Sequence, residues 1–389
     1  MLWRKTMDVE NDNLFYELIR LSLGISKGNI QLEKIDWALM YKYAEKQALL
    51  GICFNGVSQL AKASVEACPE NLYKKWLAVA AKIQQRNDYL DLKCTEINRN
   101  LNRKGFGCCI LKGQGVAQEY DGNLKALRQS GDIDVLMWKE ECPLAECRND
   151  VLKIARMYDK AAVGSEHHVA VMMDGIEVEM HYAPAYMCNP FANIRFRKWF
   201  RTYKISNFVQ SSSGFIVPDA AYNIIFLLAH SFRHYLGEGL GMRQIMDYYF
   251  VLRNYKRDNI LNNEIMRLLS SFNMLGFAGA MMWVMKEIFY MSDAMLLCTP
   301  DEHRGRLLLA HIMEGGNFGT HRKTRIFMKY THMGRFLNRL GQDMVLARLY
   351  PYEALWAPIS MAYEFLRIRK IEWRKNLKIN CGTVGYCLP

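Results

Sequence analysis

Ser130-Gly-Asp-Ile-Asp134 places two carboxylates two residues apart, at the start of a segment (residues 132–137) that alternates in polarity. Period-two alternation predicts a strand, with Asp132 and Asp134 on one face and Ile133 and Val135 turned to a core. Carboxylates held so close repel each other unless a cation lies between them. Mg²⁺ and Mn²⁺ take oxygen ligands, and Mg²⁺ commonly completes its shell with substrate phosphates. An Asp-x-Asp strand is therefore a platform for metal-assisted phosphoryl chemistry. A solvated strand edge yields the same spelling, so the neighbouring segments must decide.

Upstream, the apolar run 108–111 reads as a buried strand. Lys112-Gly-Gln-Gly115 follows it as a turn, with a helix opening over 116–120. Such a turn lets backbone N–H groups meet a phosphate, and Lys112 adds a positive charge. Downstream, residues 176–181 alternate so that Glu177, Glu179 and His181 share one strand face. A third carboxylate on a neighbouring strand completes a metal triad, and both Glu177 and Glu179 qualify.

Three further groups are candidates. Arg128 precedes the Asp-x-Asp strand and is suited either to a phosphate or to capping a loop. His230 and His234 lie four apart on a helical pattern, open to zinc binding with His181, to substrate contact or to a structural role. Ser-Phe-Arg between them excludes the His-Glu-x-x-His metalloprotease. Arg243 and Asp247 are also four apart, the spacing of an intrahelical ion pair. His167-His168 read as the start of a strand rather than as ligands.

The elements that must position these residues follow from periodicity. Residues 37–60 and 76–101 carry helical patterns, and Gly105 and Gly107 mark a break. Strands are expected over 108–111, 132–137, 168–173 and 176–181, the last two joined by Asp174-Gly175, a strong hairpin signal. A helix is expected over 144–158. From Pro218 onward the chain reads as helical. The predicted fold class is α+β: a small mixed sheet flanked by helical regions, divided at 1–104, 105–215 and 216–389.

These motifs together resemble the polymerase-beta-type nucleotidyltransferase superfamily. They are most similar to a group of uncharacterised bacterial nucleotidyltransferases. The resemblance rests on Leu111-Lys112-Gly113, Arg128, Gly131-Asp132-Ile133-Asp134 and Glu179-Met180-His181, with His230, His234, Arg243 and Asp247 further on. It covers roughly residues 35–255. It implies that Asp132 and Asp134 bind Mg²⁺ (or Mn²⁺), with Glu179 rather than Glu177 as third acid. It also implies that Lys112, Gly113, Gln114, Arg128 and Gly131 hold an NTP. His181, His230, His234, Arg243 and Asp247 are then substrate-contact candidates. Gln114 departs from the superfamily, whose turn often carries a hydroxyl at that place.

Composition sets the outer limits. The chain has 389 residues, 51% hydrophobic and 23% charged, enough for a large core and against disorder. Eleven cysteines with no Cys-x-x-Cys pair argue against a disulfide scaffold or zinc ribbon and for reduced thiols in the cytoplasm. Residues 268–285 are uncharged, but Ser270, Ser271, Asn273, Gly276 and Gly279 predict a helix end, a turn and a buried helix start, so no transmembrane segment is expected. No Gly-x-x-x-x-Gly-Lys-Ser/Thr loop occurs. Net charge is +12, and from Arg322 onward thirteen Lys/Arg stand against four acids. That basic tail favours an anionic acceptor and leaves nucleic acid open as a partner. The expected function is metal-dependent transfer of a nucleoside monophosphate from an NTP to an acceptor hydroxyl. Two alternatives remain: a catalytically weak nucleotide-binding scaffold or sensor, and a nucleic-acid-binding module using the tail.

Overall fold

The computed structural model describes residues 6–26, 34–63, 68–139, 147–203, 205–319, 344, 346–360, 362–363 and 366–367. Most of the basic tail, and the start of the helix expected at 144, lie outside the described residues. Helices α1 (Thr6–Ser22), α2 (Trp37–Lys46), α3 (Leu50–Ala63) and α4 (Glu70–Arg103) precede the sheet. The single helical pattern over 37–60 is two helices. Ala48 takes a left-handed φ of 56° between them. The buried Gln47 side chain is drawn away to the C-terminal helices, accepting from Met242 N at 2.9 Å and donating to Ile312 O at 2.9 Å.

The sheet has strands β1 (Gly107–Ile110), β2 (Ile133–Trp138), β3 (His168–Met173) and β4 (Ile176–His181) in the order β1-β2-β4-β3. β2 and β4 are the central pair and run parallel, while β1 and β3 are antiparallel to their neighbours. Short helices α5 (Lys112–Ala117) and α6 (Leu124–Leu127) lie between β1 and β2, and α7 (Arg148–Tyr158) carries the chain from β2 to β3. Asp174 (φ 50°) and Gly175 (φ 77°) form the two-residue β3–β4 turn, and paired left-handed residues are what such a hairpin requires. The Lys112 segment is helical from Lys112 rather than from Val116, with a kink at Gly113 (φ 37°, ψ −115°).

β2 is buried along its whole length. Ile133, Val135 and Met137 pack with Leu90, Ile97 and Leu101 of α4 and Val151 of α7. Leu136 and Trp138 point the other way into a second, larger core. Asp134 shares that second face. The larger core is built from α8 (Pro190–Thr202), α9 (Ala220–Gly237), α10 (Met242–Asn254), α11 (Asn259–Ser271), α12 (Leu275–Phe289) and α13 (Glu302–Gly315), together with α1–α3. A second hairpin, β5 (Val209–Gln210) with β6 (Ile216–Val217), sits between α8 and α9. The first and last helical regions thus share one interior, and Arg20 Nε of α1 donates to Ile288 O of α12 at 2.8 Å. Met281, Met282 and Met285 fill it, each such burial contributing about 1.5–3 kcal/mol.

The uncharged stretch 268–285 resolves into the end of α11, a turn through Asn273 (φ 59°) and the start of α12. No described helix is long and apolar enough to cross a membrane. The cysteines among the described residues are free thiols.

Candidate active site

A cleft of about 300 Å³ opens between the second face of the sheet and helices α9 and α10. Its floor carries Asp132, Asp134, Glu179, Lys112 and Gly113, and its wall carries His230, Arg233, His234 and Arg243. The floor follows from strand register. β2 and β4 are parallel with Asp134 opposite Glu179, so both carboxylates rise from the same face. The β1–β2 ladder extends one residue past β1, with Leu111 N donating to Asp134 O at 2.9 Å. That bond brings Lys112 to Asp134: Nζ stands 2.5 Å from Oδ1 and 3.9 Å from Glu179 Oε2. Gly113 is required here. Its φ is +37°, a backbone conformation that L side chains rarely adopt.

His181 follows Glu179 on the same face of β4. Its Nε2 lies 3.0 Å from Asp134 Oδ1 and 3.2 Å from Glu179 Oε2, while Nδ1 meets Ala183 O at 3.3 Å. Burial works to lower the basicity of His181, but the two carboxylates outweigh it and raise it above the usual imidazole range. Burial alone would raise the Glu179 carboxyl. The hydrogen bond from His181 and the charge of Lys112 reverse this and hold it far below the usual range. Asp132 sits one residue before β2, is only partly buried, and lines the same cleft.

The structure brings Lys112, Gly113, Arg128, Gly131, Asp132, Asp134, Glu179, His230, His234, Arg243 and Asp247 to this cleft. Glu177 is exposed and does not line it. Gln114 also lies outside the lining and is buried behind the turn. It donates to Asp91 Oδ1 at 2.6 Å and accepts from Ser130 Oγ at 2.7 Å. Its amide thus braces the Lys-Gly turn against α4. Arg128 lines the cleft and is paired within the fold: Nε and Nη2 each meet the Asp247 carboxylate at 2.7 Å, and Nη1 meets Ser130 Oγ. The i,i+4 reading of Arg243 and Asp247 gives way to this longer-range pairing. Asp247 takes Arg128 and the Tyr120 hydroxyl, and Arg243 Nη1 donates to Gln129 O at 2.7 Å.

On the wall, His230 and His234 are ring neighbours 4.3 Å apart on α9. Burial lowers both imidazoles, assisted at His230 by Lys112, so His230 is neutral. His230 Nδ1 is buried without a hydrogen-bond partner. The two do not join His181 in a metal-ligating group among the described residues.

Sequence reasoning missed His167, His168 and Arg233, which all line the cleft. The hairpin itself held the signal for His168. A two-residue turn at Asp174-Gly175 pairs Met173 with Ile176 and therefore His168 with His181. His168 Nε2 reaches within 3.5 Å of Glu179 Oε1, and burial lowers its pKa to about 4. Arg233 falls on the His230–His234 face of the helix, and its guanidinium lies over Tyr186.

A small mixed sheet with opposed acids on its central strands, a Lys-Gly turn beside them and a cationic helical wall across the cleft is a nucleotidyltransferase-type arrangement. The chain belongs to the family described as uncharacterised nucleotidyltransferase, whose sequence pattern matches residues 33–290. That stretch runs from just before α2 to the end of α12 and contains every cleft residue named above. Among solved structures, the chain is similar to an antigenic nucleotidyltransferase-like protein from Paracoccidioides brasiliensis, at 10% identity and a TM-score of 0.34, over 56% of this chain and 97% of that one. Comparison with curated proteins gave no match.

Proposed function

We propose that the protein transfers a nucleoside monophosphate from an NTP to an acceptor hydroxyl, with a divalent metal held at the acidic floor of the cleft. The observation that carries this reading is the register of Asp134 against Glu179, with Lys112 delivered between them. The donor set fits a cation. Ligand atoms of Asp134, Glu179 and His181 lie within 4.8 Å of one another, and Asp132 faces the same space. When bound, a divalent ion supplies neutralisation of the phosphate charge.

The protein's own groups supply the rest. Arg233, Arg243 and Lys112 give the cleft positive charge for a triphosphate. His230, neutral and with an unpaired ring nitrogen, offers a hydrogen bond without a charge. The acceptor oxygen attacks the α-phosphorus and forms the new P–O bond. The α–β bridging bond breaks, and pyrophosphate leaves. The hydroxyl proton leaves to bulk water as the bond forms, and Glu179, anionic at neutral pH, accepts the hydroxyl's hydrogen bond and orients it. Holding both partners in line in this small cleft contributes most of the acceleration in such reactions. An anionic acceptor suits the basic tail.

The test is incubation with α-labelled NTPs, Mg²⁺ and candidate acceptors, comparing wild type with Asp132→Asn. Transfer of label by wild type and its loss in the variant is the expected result. Equal transfer by both proteins contradicts the assignment of Asp132.

A further inference from the structure

The last described stretch of the chain packs with its small residues and exposes its large ones. Residues 357–360, 362–363 and 366–367 are helical. Ala354 and Ala357 are buried, while Leu355, Ile359, Tyr363 and Leu366 are 56–65% exposed. Ile359, Tyr363 and Leu366 follow the four-then-three spacing that lines one side of a helix. The alanines dock on the protein, and the large apolar side chains are presented outward.

Helix α8 lies beside this segment, and the two are joined at both ends. At the start, Asn189 Nδ2 donates to Tyr352 O at 3.0 Å, and Asn189 N donates to the buried Glu353. At the far end, Arg367 Nη2 donates to Gly164 O at 2.8 Å and Arg197 Nη2 to Glu166 O at 3.0 Å, so both elements meet one loop. The outer face of α8 has the same character. Phe191 and Ile194 are exposed, and Arg195, Lys198 and Arg201 continue that face, also exposed. The helix holds four cations and no acid. Beyond Arg367, residues 369–378 add five Lys/Arg against one acid.

Exposed apolar side chains beside unbalanced cations suit a surface that lies on an anionic bilayer. The apolar groups enter the boundary between headgroups and acyl chains, and the cations meet the lipid charge. Other occupants fit less well. A second copy seated face to face brings like charges together. A nucleic-acid backbone gives leucine and isoleucine nothing to bury against. We propose that α8 and the segment ending at Arg367 form a docking face for an anionic lipid bilayer. Leu355, Ile359, Tyr363 and Leu366 enter at the acyl boundary, and Arg195, Lys198 and Arg201 lie at the headgroups. The contact is with one leaflet, since no described helix is long and apolar enough to cross. The inference stands apart from the proposed nucleotidyl transfer.

The test is sedimentation of the full chain with vesicles of phosphatidylcholine alone and of an equal mixture with phosphatidylserine, across a salt titration. Wild type binds the mixed vesicles, does not bind the neutral ones, and is released as salt rises. Arg195→Gln with Lys198→Gln weakens binding about tenfold or more, each cation near such a surface being worth about fivefold. Ile359→Ser with Leu366→Ser weakens it at least as much. Leu92→Ser, at an exposed leucine of α4, changes nothing. The substituted positions are exposed, so the fold survives, and circular dichroism checks it. No binding to mixed vesicles by folded wild type, equal binding to neutral vesicles, or binding that either double variant leaves unaltered overturns the proposal. Light scattering without lipid adds a further arm. A dimer that Ile359→Ser with Leu366→Ser dissociates assigns the face to a second copy and overturns it. Binding of a labelled RNA duplex that the glutamine pair weakens and the serine pair does not, with no vesicle binding, gives the cations to nucleic acid and likewise overturns it.

Discussion

Lys112 reaches Asp134 because the main chain leaves it little choice. Leu111 donates its N–H to the Asp134 carbonyl, and the next residue places its ammonium 2.5 Å from the Asp134 carboxylate. The pair is nearly dry, with the Asp134 side chain only 2% exposed. The same contact therefore serves the fold and the chemistry, and variants at the two aspartates separate these roles.

Asp134→Asn leaves the Lys112 charge with reduced compensation in a buried setting, a change that costs about 3–5 kcal/mol when a buried pair is broken. Asp132 is partly exposed at the strand entrance, where substitutions typically cost far less. Thermal unfolding should show a clear loss of stability for Asp134→Asn and nearly wild-type behaviour for Asp132→Asn, with nucleotide transfer lost in both. Equal stability of the two variants contradicts the buried pairing.

Arg128 and Asp247 join the sheet entrance to α10 by two hydrogen bonds of 2.7 Å, with the Tyr120 hydroxyl as a third donor to the carboxylate. Asp247→Asn should cost about 3–5 kcal/mol, because a buried guanidinium loses its counter-charge. Tyr120→Phe should cost only about 1.5–3 kcal/mol, the worth of one hydrogen bond to a charged group. Denaturant unfolding of both variants checks the order, and the reverse order rules out Arg128 as the principal partner.

Glu353, in the short helix Pro351–Ala354, is buried at the start of α8, where Oε2 accepts from Asn189 N at 3.1 Å. Burial pushes its carboxyl up to about 7 despite backbone hydrogen bonds from Asn189 and Cys188. The folded state therefore holds a proton that the unfolded chain releases at about 4.3. Its contribution is fully present below that value and falls as pH rises through 7. Glu353→Gln should remove this dependence and raise stability near pH 8, by on the order of 3–4 kcal/mol at most. Melting temperatures of both proteins from pH 5 to about pH 8 check it. A variant less stable than wild type at the upper end refutes the assignment.

Periodicity alone placed the four strands and the Asp174-Gly175 turn, because alternation and two-residue turns are local signals. The break after Lys46 was not legible, since Gln47 is held by Met242 and Ile312, far along the chain. The same reason hid the partners of Arg128 and Gln114. Each has a residue type suited to phosphate, and each pairs with a group distant in sequence: Asp247 for the arginine, Asp91 for the glutamine. His168 was legible in principle, because the hairpin register sets it opposite His181. The helical wall was partly legible: the spacing of His230 and His234 is local, but which face meets the sheet depends on packing.

The most direct measurement is calorimetry of the full chain with each NTP, with and without Mg²⁺, for wild type and Asp132→Asn. The expected result is Mg²⁺-dependent binding of at least one NTP by wild type, strongly weakened in the variant, with both proteins folded. Binding of no NTP by folded wild type, or binding indifferent to both Mg²⁺ and Asp132, contradicts a metal-dependent nucleotidyl-transfer site in this cleft.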